Sequence, residues 1–277
     1  MGIVKQVFNF YINSSIHVAL AVCSLTWITL IEFQVPIDKT LLFFVFFASV
    51  TGYNFVKYFG IAKFHHRRLA SWLKTIQVFS FFCFLCLVFY ALKLPMKTLL
   101  YMVLFGMLTF FYAIPFLPKR FFVDKQQNLR SIGGLKIYLI ALVWSGVTVF
   151  IPLINNEFQL NTDAFITGVQ RYMYVIVLML PFEIRDLRFD SLKLSTVPQK
   201  IGVINTKAVG VILLLGLFTL ELFKDELNLV QVLALGVILL CTLSLVVLAT
   251  KKQGKYYSSF WVEGLPVLWL IILKIMI

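Results

Sequence analysis

Acidic residues are scarce in this 277-residue chain: 12 Asp and Glu stand against 25 Lys and Arg. Not one carboxylate occurs between Lys39 and Lys119. Charged residues of either sign make up only 13% of the chain, which excludes an ordinary soluble domain. Cysteine is rare too. Cys23, Cys83, Cys86 and Cys241 all fall inside apolar runs, and the Cys83–Cys86 spacing has no His or acid beside it. That setting describes small buried hydrophobes, not a metal or redox centre. Polar low-complexity linkers and internal repeats are missing, so residues 1–277 read as a single domain. The N-terminus has one basic residue, Lys5, and no small-residue cleavage site, so no removable signal peptide is expected.

What remains is apolar. Hydrophobic residues make up 61% of the chain and its mean hydropathy is +0.93. Apolar stretches long enough to cross a bilayer recur along its length. The pattern predicts an all-α integral membrane protein with nine transmembrane helices, at roughly 14–34, 40–60, 72–93, 97–117, 134–154, 165–184, 207–223, 228–250 and 258–276. The 29 Phe suit lipid-facing and core helix surfaces, with no spacing suggestive of nucleic-acid binding. Nineteen of the 25 basic residues fall at the N-terminus and in the loops after spans two, four, six and eight. The positive-inside rule then puts the N-terminus in the cytoplasm and the C-terminus outside, in an inner or plasma membrane. The net charge of +13 is thus a topology signal, with attraction to anionic membrane lipid as a secondary effect and no nucleic-acid partner.

Three of the twelve acids lie together at the end of the sixth span. Glu183, Asp186 and Asp190 are spaced i, i+3, i+7, which on a continued helix puts them on one stripe. Carboxylates crowded this way repel one another unless a cation lies among them, and an all-oxygen set suits Mg²⁺. A helix end whose acids pair with neighbouring Arg and Lys fits the spacing equally well.

Other polar residues gather on the same side. Asn54 and Lys57 close the second span, followed by His65, His66, Arg67 and Arg68. Tyr112, Lys119 and Arg120 close the fourth, and Arg130 and Lys136 open the fifth. Interfacial anchoring is the default role for Tyr, Lys and Arg at this depth. Facing the acidic stripe, the basic residues are also suited to holding a diphosphate. Glu263, in the last span, is an ionisable residue inside an apolar run and a candidate for the bundle interior.

The order of these motifs resembles the UbiA family of intramembrane prenyltransferases. Glu183-Ile-Arg-Asp186-Leu-Arg-Phe-Asp190 is similar to that family's second aspartate-rich motif, and Thr196-Val-Pro198-Gln-Lys200-Ile-Gly202 to its downstream Pro…Gly element. Tyr112…Lys119-Arg120…Gly134-Leu-Lys136…Val143-Trp144 resembles its connection between helices four and five. The first motif departs: Asn54-Phe-Val-Lys57-Tyr58 keeps only the Asn, and Phe55 and Tyr58 stand where the family has carboxylates.

The resemblance implies a nine-helix UbiA-like bundle that binds a prenyl diphosphate through Mg²⁺ and transfers the prenyl group to an aromatic or lipophilic acceptor. It implies Glu183, Asp186 and Asp190 as metal ligands, with Asp186 and Asp190 catalytic. Lys57, with Arg67 or Arg68, would take the place of the missing metal half. Asn54, Arg67, Arg68, Tyr112, Lys119, Arg120 and Lys193 would contact substrate. The degenerate first motif leaves a second expectation: a catalytically weak or inactive member of the fold that binds an isoprenoid lipid or a membrane partner.

Overall fold

The computed structural model of the chain describes residues 2–64, 71–113, 134–188 and 196–277. Apolar composition forms helices almost throughout, because a backbone in lipid must satisfy its own N–H and C=O groups. Helix α1 spans Ile3–Asn13, α2 Ile16–Glu32, α3 Lys39–Phe64, α4 Ser71–Ala91 and α5 Met96–Ala113. Helices α6 (Leu135–Ser145) and α7 (Ile151–Asn155) join through a π-turn, Gly146–Phe150, into one span. Then come α8 (Thr162–Asp186), α9 (Val197–Glu221), α10 (Leu229–Leu248), a second π-turn (Tyr257–Val262) and α11 (Leu265–Met276).

Among the described residues a helix overlaps each of the nine predicted spans, but nine helices of spanning length are not observed. Among the described residues seven are long and apolar enough to cross a membrane, and α1 with α2 makes an eighth if that bent pair counts as one span. The apolar stretch of α5, Met96–Phe111, is shorter.

Two helix starts differ from expectation. Helix α1 precedes the predicted first span and meets α2 at 54°. It is too short to span and carries Asn9 and Asn13 among its apolar residues. Helix α9 begins ten residues before the predicted position, at Val197. Pro198 lies in its first turn, where the missing N–H costs nothing. The chain bends at Gly202, whose φ of 79° and ψ of 165° belong to a region that only glycine enters freely.

Helix α8 forms the centre of the bundle, packed against α6, α9 and α10 and reaching α2 through Arg171. Leu180, Ile184, Val177 and Tyr174 are buried along it. Ser145 Oγ donates to Gly168 O at 2.6 Å, tying α6 to α8. Helix α4, by contrast, presents Phe81, Phe82, Phe84 and Phe89 outward, as a lipid-facing helix should. Alternating helix direction brings the ends of α3, α8 and α10 and the starts of α6, α9 and α11 to one end, here the basic end.

Candidate functional site

The acidic motif sits at the basic end, where α8 stops. The described helix ends at Asp186, with Leu187 and Arg188 in a turn, so continuous helical phase is not observed as far as Asp190. Asp190 and Lys193 lie outside the described residues. Glu183 is 2% exposed, and its Oε2 accepts the N–H of Val197 at 3.2 Å. A carboxylate there satisfies one of the free donors that open α9 and complements the positive end of its dipole. Thr196 N donates to Gln199 Oε1 at 3.0 Å in the same turn. Asp186 faces two cations: Arg185 Nε donates to it at 2.8 Å, and Lys136 Nζ, from the start of α6, lies 3.8 Å away. The pairing of acids with neighbouring Arg and Lys is therefore realised at Asp186.

The first-motif position has a different job. Asn54 is buried in α3 and makes three hydrogen bonds. Its Oδ1 accepts from Ser15 Oγ at 2.8 Å, and its Nδ2 donates to Ser14 O at 2.9 Å and to Ser80 Oγ at 2.8 Å. One turn on, Lys57 Nζ and Tyr58 OH both donate to Asn13 O, at 3.1 and 2.7 Å. The three side chains clamp the elbow between α1 and α2, where Ser15 takes a left-handed conformation. They satisfy carbonyls that the break in the helix leaves without partners.

The last helix supplies the remaining polar groups. Glu263 follows the second π-turn and is half-buried. It interacts electrostatically with Lys57, Arg185 and Tyr11. Next to it Gly264 packs so closely on His17 that a Cβ would come within 3.2 Å of the ring Nε2. That Nε2 lies 2.9 Å from Phe260 O, and Nδ1 lies 2.7 Å from Tyr11 OH. A carbonyl oxygen only accepts, so Nε2 carries the proton and Nδ1 of the neutral ring accepts from Tyr11. Gln253 donates to Pro181 O at 2.7 Å and accepts from Ser258 Oγ at 2.6 Å, fixing the π-turn to α8. His17 and Tyr11 escaped the sequence reading. A polar ring within an apolar run was the available signal for His17.

A second polar centre lies toward the opposite end, and the sequence did not single it out. Arg171, in α8, is 2% exposed. Its guanidinium donates to Leu25 O at 3.3 Å and Thr29 Oγ1 at 3.4 Å, lies 3.6 Å from Glu32 Oε2 and stacks 5.0 Å from the Trp269 ring. Glu221 pairs with Lys224 at 2.8 Å and accepts from Gln170 Nε2 at 2.8 Å. A cavity of about 10 Å³ between these groups is at the lower limit for one water.

Arg67, Arg68, Lys119 and Arg120 lie outside the described residues, as does the side chain of Tyr112. Of the expected site residues that are described, Lys57, Glu183 and Asp186 all stand at the basic end, and Asn54 is one turn deeper. Among the described residues no group of three or more His, Cys, Asp or Glu side chains is arranged to hold a metal ion. With Glu183 on the start of α9 and Asp186 between two cations, the described carboxylates do not by themselves fit Mg²⁺.

No protein-family model and no curated protein sequence matches this chain. Its fold does have a solved counterpart, a structure of a digeranylgeranylglyceryl phosphate synthase in membranes. The TM-score is 0.58 at 13% sequence identity, over 98% of this chain and 97% of that one. At that identity the likeness concerns the fold, and over essentially its whole length this chain shares the fold of a UbiA-type intramembrane prenyltransferase.

Proposed function

We propose that the protein binds a prenyl diphosphate at its basic end and transfers the prenyl group to an aromatic or lipophilic acceptor. The observation that carries this reading is the meeting of Asp186, Arg185 and Lys136 at the ends of α6 and α8, within a full-length prenyltransferase fold. Arg185 offers a planar fork and Lys136 a mobile point charge, both suited to phosphate oxygens. As a diphosphate leaves, its charge must be neutralised, and cations already in place do so without reorganisation. Arg67, Arg68, Lys119, Arg120 and Lys193 would add to this set. The side bearing these groups would face the cytoplasm, following the distribution of Lys and Arg.

The fold family implies Mg²⁺, for which Glu183, Asp186 and Asp190 are the proposed ligands. Since the described carboxylates are already engaged, no step is derived through the ion. A second reading, an isoprenoid-lipid binder with little or no turnover, is supported by Asn54, whose hydrogen bonds go to the elbow and to Ser80 of α4.

The test is diphosphate release by purified protein from a panel of prenyl diphosphates, with and without Mg²⁺ and with aromatic and lipid acceptors. Release that disappears in Asp186→Asn and Asp190→Asn supports the transferase. Binding without release supports the second reading, and absence of binding overturns both.

A further inference from the structure

The centre around Arg171 is made of two polar sets. In the first, Arg171 of α8 donates to Leu25 O and Thr29 Oγ1 of α2 and faces Glu32. In the second, Gln170 donates to Leu217 O and Glu221 of α9, and Glu221 pairs with Lys224. Among the described residues no side-chain hydrogen bond runs from one set to the other. The cavity lies where they meet, lined by Glu32, Thr167, Gln170, Arg171 and Glu221 and closed by apolar side chains such as Leu235.

Two of the lining oxygens are buried and have no hydrogen-bond partner among the described residues. They are Glu32 Oε2 and Thr167 Oγ1, the latter on a side chain only 2% exposed. Arg171 spends two of its five N–H donors on α2, so donors remain beside these acceptors. Arg171 stands nine residues into α8, roughly 14 Å from the start of the helix and so near the middle of a bilayer. At that depth lipid offers nothing to a bare oxygen.

Size and charge together select the ligand. About 10 Å³ admits one water and nothing larger. Two cations, Arg171 and Lys224, balance two carboxylates, Glu32 and Glu221, so the centre calls for neither an anion nor a further cation. The 3.6 Å between Arg171 and Glu32 exceeds hydrogen-bond distance, as in a pair that a water bridges from the side. We infer that this cavity binds one water molecule. The water accepts from Arg171 and donates to Glu32 Oε2 and Thr167 Oγ1, three bonds in all, the usual number for a buried water. It completes the hydrogen bonding of the centre and ties α2 to α8 inside the membrane.

Crystallographic density of the full-length protein, and thermal unfolding of two variants in nanodiscs, test this. Thr167→Val removes a proposed water ligand. Thr148→Val is the control: Thr148 Oγ1 is as deeply buried and has no partner among the described residues, but it does not line the cavity. Losing a hydroxyl that binds water lowers stability, whereas losing one without a partner does not. Thr167→Val should therefore lower Tm by about 2–4 °C and Thr148→Val should leave it unchanged or raise it. The wild-type cavity should show density for one water. An empty cavity overturns the inference, as does Thr167→Val at least as stable as wild type. Equal losses in the two variants also overturn it, since packing alone would then account for both. Anomalous signal in the cavity from added rubidium or bromide would mark an ion in place of water.

Discussion

Replacing Arg171 by methionine should be the most damaging single change in the bundle. The guanidinium is 2% exposed, and its loss removes the cation nearest to Glu32. Among the described residues Glu32 Oε2 accepts no hydrogen bond to offset that loss, and the other cation that acts on it, Lys224, is paired with Glu221 at 2.8 Å. Removing one partner of a buried ion pair costs about 3–5 kcal/mol, mostly as the penalty for the charge left behind. The pair separation of 3.6 Å is longer than a charge-assisted hydrogen bond, which sets the expectation near the lower limit, about 3 kcal/mol. For a chain this long that is a fall in Tm of roughly 6–12 °C. Thermal unfolding in detergent, read by tryptophan fluorescence, would measure it. The double variant Arg171→Met/Glu32→Gln removes both charges and should recover to within about 1 kcal/mol of wild type. A single variant as stable as wild type, or a double variant that adds the two losses, would refute the reasoning.

Asn54→Ala removes three hydrogen bonds, two of them buried, and should destabilise by about 2–3 kcal/mol, with added proteolysis at the α1–α2 elbow as the local signature. Gly202→Ala meets no atom within 4 Å, so its cost is backbone strain alone, about 1–3 kcal/mol in the same unfolding assay. Asp186→Asn should abolish transfer. In the absence of metal it should also tighten prenyl-diphosphate binding about 2–5-fold, since Arg185 and Lys136 lose a competing, partly exposed carboxylate. Weaker metal-free binding in that variant would place the carboxylate itself in contact with the ligand's donors.

The helices were legible because lipid imposes a simple rule: an apolar run must satisfy its backbone internally, so long runs are helices. Helix α1 was less legible, since eleven residues with two Asn carry no spanning signal and α1 is held by contacts remote in sequence. Phe8 packs on Tyr256 and Phe260, and Asn9 accepts from Lys255 and Tyr256. The start of α9 was readable and misread. Pro198 and Gly202 look like loop punctuation, whereas Thr196 with Gln199 three residues on is the pattern of a capped helix start. At the site, the residue types of the acidic motif and the depth of Glu263 could be taken from the sequence. The clamp made by Asn54, Lys57 and Tyr58 could not, because its partners are backbone carbonyls some forty residues earlier.

That clamp bears on how the chain enters its membrane. Among the described residues the carbonyls of Asn13 and Ser14 find their side-chain partners on α3, and Asn54 in turn is completed by Ser80 on α4. While α2 is the latest segment to emerge during synthesis, the elbow ahead of it exposes acceptors that only water can satisfy, which keeps the elbow at the surface of the bilayer. Completing these bonds waits for two more helices, so the elbow is fixed only after segments that follow it in the chain have emerged.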